Sequence, residues 1–262
     1  MIARYISDAI IERERVNEVC EWENFDSGTD FGRNRRERES KGTLVSLFCG
    51  GLSVETRLSK YFDKIICNDK QEYLIALYRA VQEGWIPPDS ISEEEYKYIK
   101  NNKDEDKALT AFVGFGCSFG GKWFGGYGRH GTKGKHCAER SMCLESKSAL
   151  LRDIDILKDA TFLCEDYRDV VLPDGCVVYC DPPYKNTMSA YGLKTIFDSE
   201  EFWDWVRENS TEHHIYISEL NAPDDFVPIW EKEKIRFINN NKTGNKDIFK
   251  VTEKLFVHES NI

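Results

Sequence analysis

The stretch 43–69 constrains the fold more than any other. An apolar run, Thr43-Leu44-Val45-Ser46-Leu47-Phe48, passes directly into Cys49-Gly50-Gly51, and a helical segment is expected at 54–62. A second apolar run, Lys64-Ile65-Ile66-Cys67-Asn68, then ends in Asp69. Short runs that are apolar at consecutive positions suit strands buried on both faces, and a helix between two of them keeps the strands parallel. The next helix is expected at 71–82, with Leu74, Ala76, Leu77, Ala80 and Val81 at suitable positions. Strands resume at 161–166, 177–181 and 214–219, with a helix at 200–209 between the last two. This alternation predicts an α/β chain on a doubly wound, mostly parallel sheet. The segments 229–237 and 252–258 are expected to add a terminal antiparallel pair.

The alternation pauses between the second helix and the third strand. Pro87-Pro88 opens a stretch with a short helix expected at 92–100, a segment rich in glycine, aromatics and cations at 112–134, and a closing helix at 146–157. The expected division is therefore 1–85 plus 146–262 as one domain and 86–145 as an inserted subdomain. Upstream, Tyr5, Ile6, Ala9, Ile10, Val16 and Val19 stand at roughly helical spacing, which predicts an amphipathic helix over 5–19. The stretch 24–42 loses that periodicity, and its Arg33, Arg35, Arg36 and Arg38 read as a solvated charged loop.

A chain of 262 residues, 40% hydrophobic and 31% charged, is long and apolar enough to bury a good-sized core. No run approaches the roughly 20 apolar residues that cross a bilayer, and the first residues do not read as a leader, so a cytoplasmic location with no membrane partner is expected. The net charge of −10 is a weak guide to partners, because Lys122, Arg129, Lys133, Lys135 and Arg140 gather in mid-chain. Nine cysteines without a CxxC pair point to reduced thiols and no metal site. Nothing in the chain calls for an obligate protein partner.

Open parallel sheets bind ligands beyond the carboxyl ends of their strands, and three candidate elements fall there. Glycines in Phe48-Cys49-Gly50-Gly51 let the backbone approach a ligand closely, although such a turn also occurs without a ligand. Asp69 is placed to accept from both hydroxyls of a ribose, or alternatively to cap the helix that follows. Together they favour an adenosine-bearing cofactor. The third element is Asp181-Pro182-Pro183-Tyr184 after an all-apolar strand. Consecutive prolines stiffen the turn and remove competing N–H groups. A stiff turn suits a carboxylate and a carbonyl that converge on one exocyclic base amine. Such an amine is a poor nucleophile until hydrogen bonds to Asp181 and the Pro182 carbonyl draw its nitrogen toward tetrahedral geometry. Tyr184 is placed to stack on the base.

These three elements resemble the motifs of the alpha-group, D12-class DNA adenine-N6 methyltransferases, particularly phage- and prophage-borne members. The resemblance extends through 113–127, Ile217-Ser218-Glu219-Leu220-Asn221 with the residues up to Phe226, and Thr252-Glu253-Lys254-Leu255-Phe256. It implies the S-adenosylmethionine-dependent methyltransferase fold with an inserted target-recognition subdomain, and double-stranded DNA as partner. It further implies that Phe48, Cys49, Gly50, Asp69, Asp166 and Asp181 bind the cofactor and that Asp181, Pro182, Pro183 and Tyr184 are catalytic. Phe119, Lys122, Trp123, Tyr127 and Arg129 match the DNA-contacting hairpin region, where an aromatic residue fills the space of a flipped base and cations hold phosphates.

There are two departures from the family pattern. The chain opens where relatives have just passed a Gly-Ser or Gly-Lys element, so the lysine-bearing piece is expected to be missing. Ser46 stands where many relatives carry a Glu, which leaves the pocket short of one carboxylate. Three alternatives stand beside the DNA enzyme: an RNA base-amine methyltransferase, a protein-glutamine methyltransferase (disfavoured by Asp181), and a catalytically weak or inactive relative that acts by occupying DNA.

Overall fold

Strands β1 (Thr43–Ser46), β2 (Lys64–Asn68), β3 (Thr161–Leu163), β4 (Val177–Cys180), β5 (His214–Glu219), β6 (Phe226–Asn239) and β7 (Lys246–His258) form one sheet in the order β3-β2-β1-β4-β5-β7-β6. They belong to a computed structural model that describes residues 2–23, 42–129, 142–183, 197–239 and 246–262. The first five strands pair in parallel, and β7 runs against both β5 and β6. Seven helices accompany them among the described residues: α1 (Ile2–Glu23), α2 (Glu55–Leu58), α3 (Glu72–Gln82), α4 (Glu93–Asn101), α5 (Lys107–Ala111), α6 (Met142–Ile156) and α7 (Ser199–Asn209). No described helix is long and apolar enough to cross a membrane.

The strands read as continuous apolar runs because both faces of the sheet are covered. Period-two alternation sends Leu44, Val177, Tyr179 and Tyr216 to one face, against α1, α2 and α3. Val45, Val178, Cys180, Ile215 and Ile217 go to the other, against Phe202, Trp203 and Val206 of α7. The helices begin where side chains satisfy their first N–H groups. Ser92 and Glu95 form a reciprocal capping box on α4, Asp106 caps α5, and Asp198 accepts from two N–H groups of α7.

Four segments differ from expectation. The strand expected at 161–166 stops at Leu163, because β2 ends at Asn68 and the Asn68 side chain then takes both the N–H and the carbonyl of Glu165. The terminal antiparallel pair is longer, since β6 and β7 stay in register from Phe226↔His258 to Asn239↔Lys246 across one irregularity at Pro228/Trp230. The helix expected at 146–157 begins earlier, at Met142. The glycine-rich stretch is not a surface loop throughout. It opens, directly after α5, on a π-helical turn, Phe112–Gly116. Phe112, Val113 and Phe124 there share one apolar cluster with Leu74 and Leu77 of α3, so the core runs without a break into 86–129.

Gly114 explains why a helical turn carries this glycine. A Cβ at that position would stand 2.6 Å from the Trp123 ring and 2.8 Å from Phe124. Gly114→Ala is therefore expected to destabilise the fold by about 1–3 kcal/mol through overpacking. Chemical denaturation checks this, and an unchanged midpoint would show that the two rings move aside freely.

Candidate active site

β1 and β4 are neighbours, yet the chain leaves β1 toward β2 and β3 and leaves β4 toward β5. The turns beyond their carboxyl ends therefore diverge and leave a crevice at this switch in strand order. A cavity of about 440 Å³ fills it, lined by turns that follow β1, β2, β3 and β4. That volume is in the range of pockets for small organic ligands.

The floor is tied together by three side chains. Gly50 adopts φ +43°, where a Cβ would be strained. Its carbonyl accepts from the hydroxyl of Tyr78 on α3 at 2.5 Å, and its N–H donates to Asp69 at 3.0 Å. Asp69 also accepts from the Gln71 N–H at 2.9 Å. The carboxylate thus orders the glycine turn and the start of α3 at once, while burial pushes its pKa upward against both bonds. Asn68, fully buried, donates to the carbonyls of Leu47 and Glu165, both at 3.1 Å, and accepts from the Glu165 N–H at 2.9 Å. One amide therefore joins the ends of β1, β2 and β3.

Phe48 forms an aromatic wall with Tyr167, Phe197 and Phe202, at ring separations of 5.5–5.9 Å. Cys49 is buried beside it and lines the same cavity. The Tyr167 hydroxyl is buried with no partner among the described residues. Asp166 also lines the cavity, but its oxygens are occupied: Arg168 takes both, at 2.7 and 2.9 Å, and Lys70 takes one at 2.7 Å. The Arg168 guanidinium, joined by Lys70, holds its carboxyl well below the usual carboxylate range.

Asp181 follows β4 and faces the cavity together with Pro182 and Pro183. Tyr184 lies outside the described residues. No hydrogen bond from a described residue reaches the Asp181 carboxylate. Asp181 is exposed at its surface, yet it lies deep enough among neighbouring atoms for its carboxylate to lose hydration. That depth is the main cause that pushes its pKa up to about 7, and Glu55, Glu253 and Glu219 add to it while Lys234 opposes. Glu55 is a wall residue that sequence reasoning missed. It lies in the first turn of α2, is 2% exposed, and accepts from the Ser46 hydroxyl at 2.6 Å. Burial raises its pKa to about 7 as well. Ser46 therefore does not leave the pocket short of a carboxylate. The carboxylate comes instead from Glu55, nine positions along.

The five residues expected to contact DNA are placed unequally. Phe119 is 72% exposed on a short turn, and Lys122 is exposed beside it. Arg129 is exposed and ion-paired with Glu93 at 2.6 Å. Trp123 instead packs against Phe115 and Phe124 at 4.8 and 4.9 Å, and the Tyr127 hydroxyl donates to the Ile91 carbonyl at 2.7 Å. Both are turned inward as packing residues. The hairpin expected there is a single antiparallel bridge, Ser118↔Tyr127. Lys133, Lys135, Arg140 and the arginines at 33–38 lie outside the described residues.

The pocket fits S-adenosylmethionine. A glycine turn with positive φ admits a ligand against the backbone, aromatic walls offer faces to a nucleobase, and buried carboxylates suit a cationic group. Solved structures with a similar course of chain are remote in sequence. One is an S-adenosylmethionine-dependent methyltransferase from Clostridium acetobutylicum, 10% identical over 95% of this chain and 72% of that one, with a TM-score of 0.32. A precorrin 8w decarboxylase from Methanobacterium thermoautotrophicum is 8% identical over 82% and 81%, with a TM-score of 0.35. A tRNA methyltransferase from Aquifex aeolicus is 8% identical over 82% and 63%, with a TM-score of 0.31. The family described as D12 class N6 adenine-specific DNA methyltransferase matches residues 34–112 and 143–244, on both sides of the glycine-aromatic segment. With more than half of its length matched, the chain is an S-adenosylmethionine-dependent methyltransferase and belongs to the D12 class of N6 adenine-specific DNA methyltransferases.

Proposed function

We propose that the protein methylates the N6 amine of a target adenine in double-stranded DNA, after turning that base out of the helix into the pocket. The observation that carries this is Asp181, a carboxylate at the end of β4 that faces the cavity without a partner among the described residues and precedes two prolines. Asp181 and the Pro182 carbonyl accept from the two N–H bonds of the amine and draw its lone pair out of conjugation with the ring. When bound, S-adenosylmethionine would supply the methyl group, its sulfur–methyl bond breaking to leave a neutral thioether as the nitrogen–methyl bond forms. The proton that the amine sheds passes to Asp181. Asp69 takes the ribose hydroxyls with the lone pairs left over from its two backbone bonds, and Phe48 covers the adenosine. Asp166 reaches the cofactor's adenine amine only with lone pairs that Arg168 and Lys70 do not occupy.

The residues 86–145 form the target-recognition subdomain on this proposal. Phe119 enters the space left by the flipped base, and Lys122 and Arg129 meet phosphates, Arg129 giving up Glu93 to do so. Lys122→Ala is expected to weaken duplex binding and to reduce the slope of log K against log salt by about one. An unchanged slope would move the DNA surface elsewhere. The function itself is tested by incubating purified protein and cofactor with duplex DNA and with RNA, and by single-molecule sequencing of DNA from cells that express it. N6-methyladenine at a defined sequence supports the proposal. Methylated RNA with unmodified DNA overturns it, and binding without transfer favours the occupancy-only relative.

A further inference from the structure

We propose that Glu55, held by Ser46, is the residue that receives the cationic methionine end of S-adenosylmethionine, an assignment that rests on the cofactor pocket described above. Glu55 lines the cavity from the first turn of α2, and its side chain is almost completely enclosed. Its donors are the Ser46 hydroxyl and the backbone N–H groups of Val54 and Glu55, and all of them are neutral. Among the described residues, no lysine, arginine or histidine pairs with it. Buried carboxylates are costly unless a cation or several donors meet them.

The distribution of charge around the cavity indicates what is missing. Lys70 and Arg168 line the pocket, and both are spent on Asp166. At Glu55 the electrostatic neighbours are Asp69 and Asp181, which are also carboxylates. A ligand that brings positive charge to this end is therefore favoured over a neutral one. Adenine and ribose are neutral, whereas the methionine portion carries a sulfonium and an ammonium. Asp69, beside the glycine turn, is placed for the nucleoside, and Asp181 marks the end where the acceptor enters. Glu55 interacts electrostatically with both, which suits the part of the cofactor between the ribose and the reacting methyl. Ser46 fixes one carboxylate oxygen by a hydrogen bond at 2.6 Å and leaves the other oriented by the start of α2.

The test is calorimetry with S-adenosylmethionine and with adenosine, which lacks every cationic group, on wild type, Glu55→Gln and Ser46→Ala. Glutamine preserves the shape and the acceptor for Ser46 while it removes the charge. Glu55→Gln is expected to weaken S-adenosylmethionine by about tenfold or more and to leave adenosine within about twofold. Ser46→Ala is expected to show a smaller loss of the same selectivity, because it only releases the carboxylate from its orientation. Equal affinity of wild type and Glu55→Gln for S-adenosylmethionine overturns the assignment. Parallel loss of both ligands also overturns it, since that outcome means Glu55 merely supports the pocket wall. If wild type binds neither ligand, the pocket itself has been misassigned and the proposal falls with it.

Discussion

Asp181→Ala is expected to abolish methyl transfer, with a loss of about 10³-fold or more, while S-adenosylmethionine still binds. The magnitude follows from the removal of a group that acts mainly in the transition state, where one preorganised hydrogen bond is worth about 10²–10³-fold. On the proposed mechanism Asp181 would also orient the amine and take its proton, so the loss should lie at or beyond that range. The fold should tolerate the change, because no described residue hydrogen-bonds to the carboxylate. The same group predicts a pH dependence. Burial raises the Asp181 pKa to about 7 in the free protein. Below that value the carboxyl holds its proton and accepts poorly, so kcat/KM should fall as pH drops through about 7. A cationic cofactor nearby favours the carboxylate, so the acid limb of kcat should lie lower. Transfer rates that stay level from about pH 5.5 to about 8, or an alanine variant with wild-type turnover, would remove Asp181 from the chemistry.

The second large effect concerns stability, and its direction is opposite to the effect on ligand binding. Glu55 has a pKa near 7 in the folded chain against an ordinary value of 4.5, chiefly through burial. Between those values the folded state keeps a proton that the unfolded state releases. Stability therefore declines as pH rises through this window and levels off above about 7. At pH 8, Glu55→Gln should be more stable than wild type by up to about 3 kcal/mol, and the difference should shrink toward zero near pH 5. Asp181, Asp69 and Glu219 titrate in the same direction in both proteins, so the difference between the two curves reports Glu55 together with its repulsion of Asp181 and Asp69. Urea denaturation at the two pH values checks it. A variant less stable than wild type at both would mean that the carboxylate is satisfied within the protein. Saturating S-adenosylmethionine should recover more stability for wild type than for the variant.

The strands and the main turns were legible in the sequence because burial on both faces leaves short continuous apolar runs, and their alternation with helical segments pointed to a parallel sheet. Asp69 and Asp181 were legible because each ends such a run. Glu55 was not, since a glutamate at the start of a helix looks like ordinary first-turn chemistry until Ser46 is seen opposite it. Asn68 was hidden for a similar reason: its three hydrogen bonds reach Leu47 and Glu165, and only the fold brings these together. Interleaved aromatics and cations at 119–129 suggested a surface. Tyr73, Phe115 and Phe124 gather around Trp123 and draw it inward, which spacing alone does not reveal.

The adjacency of β1 and β4 has a mechanical consequence. Neighbouring strands in a sheet lie about 4.8 Å apart, a separation held by the backbone ladder itself. On the proposed reading, a methyl donor held on the turn after β1 and an amine held after β4 would be gauged by one interstrand spacing. The sheet then acts as a fixed ruler for the transfer. On that reading the β1–β4 ladder, rather than closure of one half of the protein on the other, would set the distance.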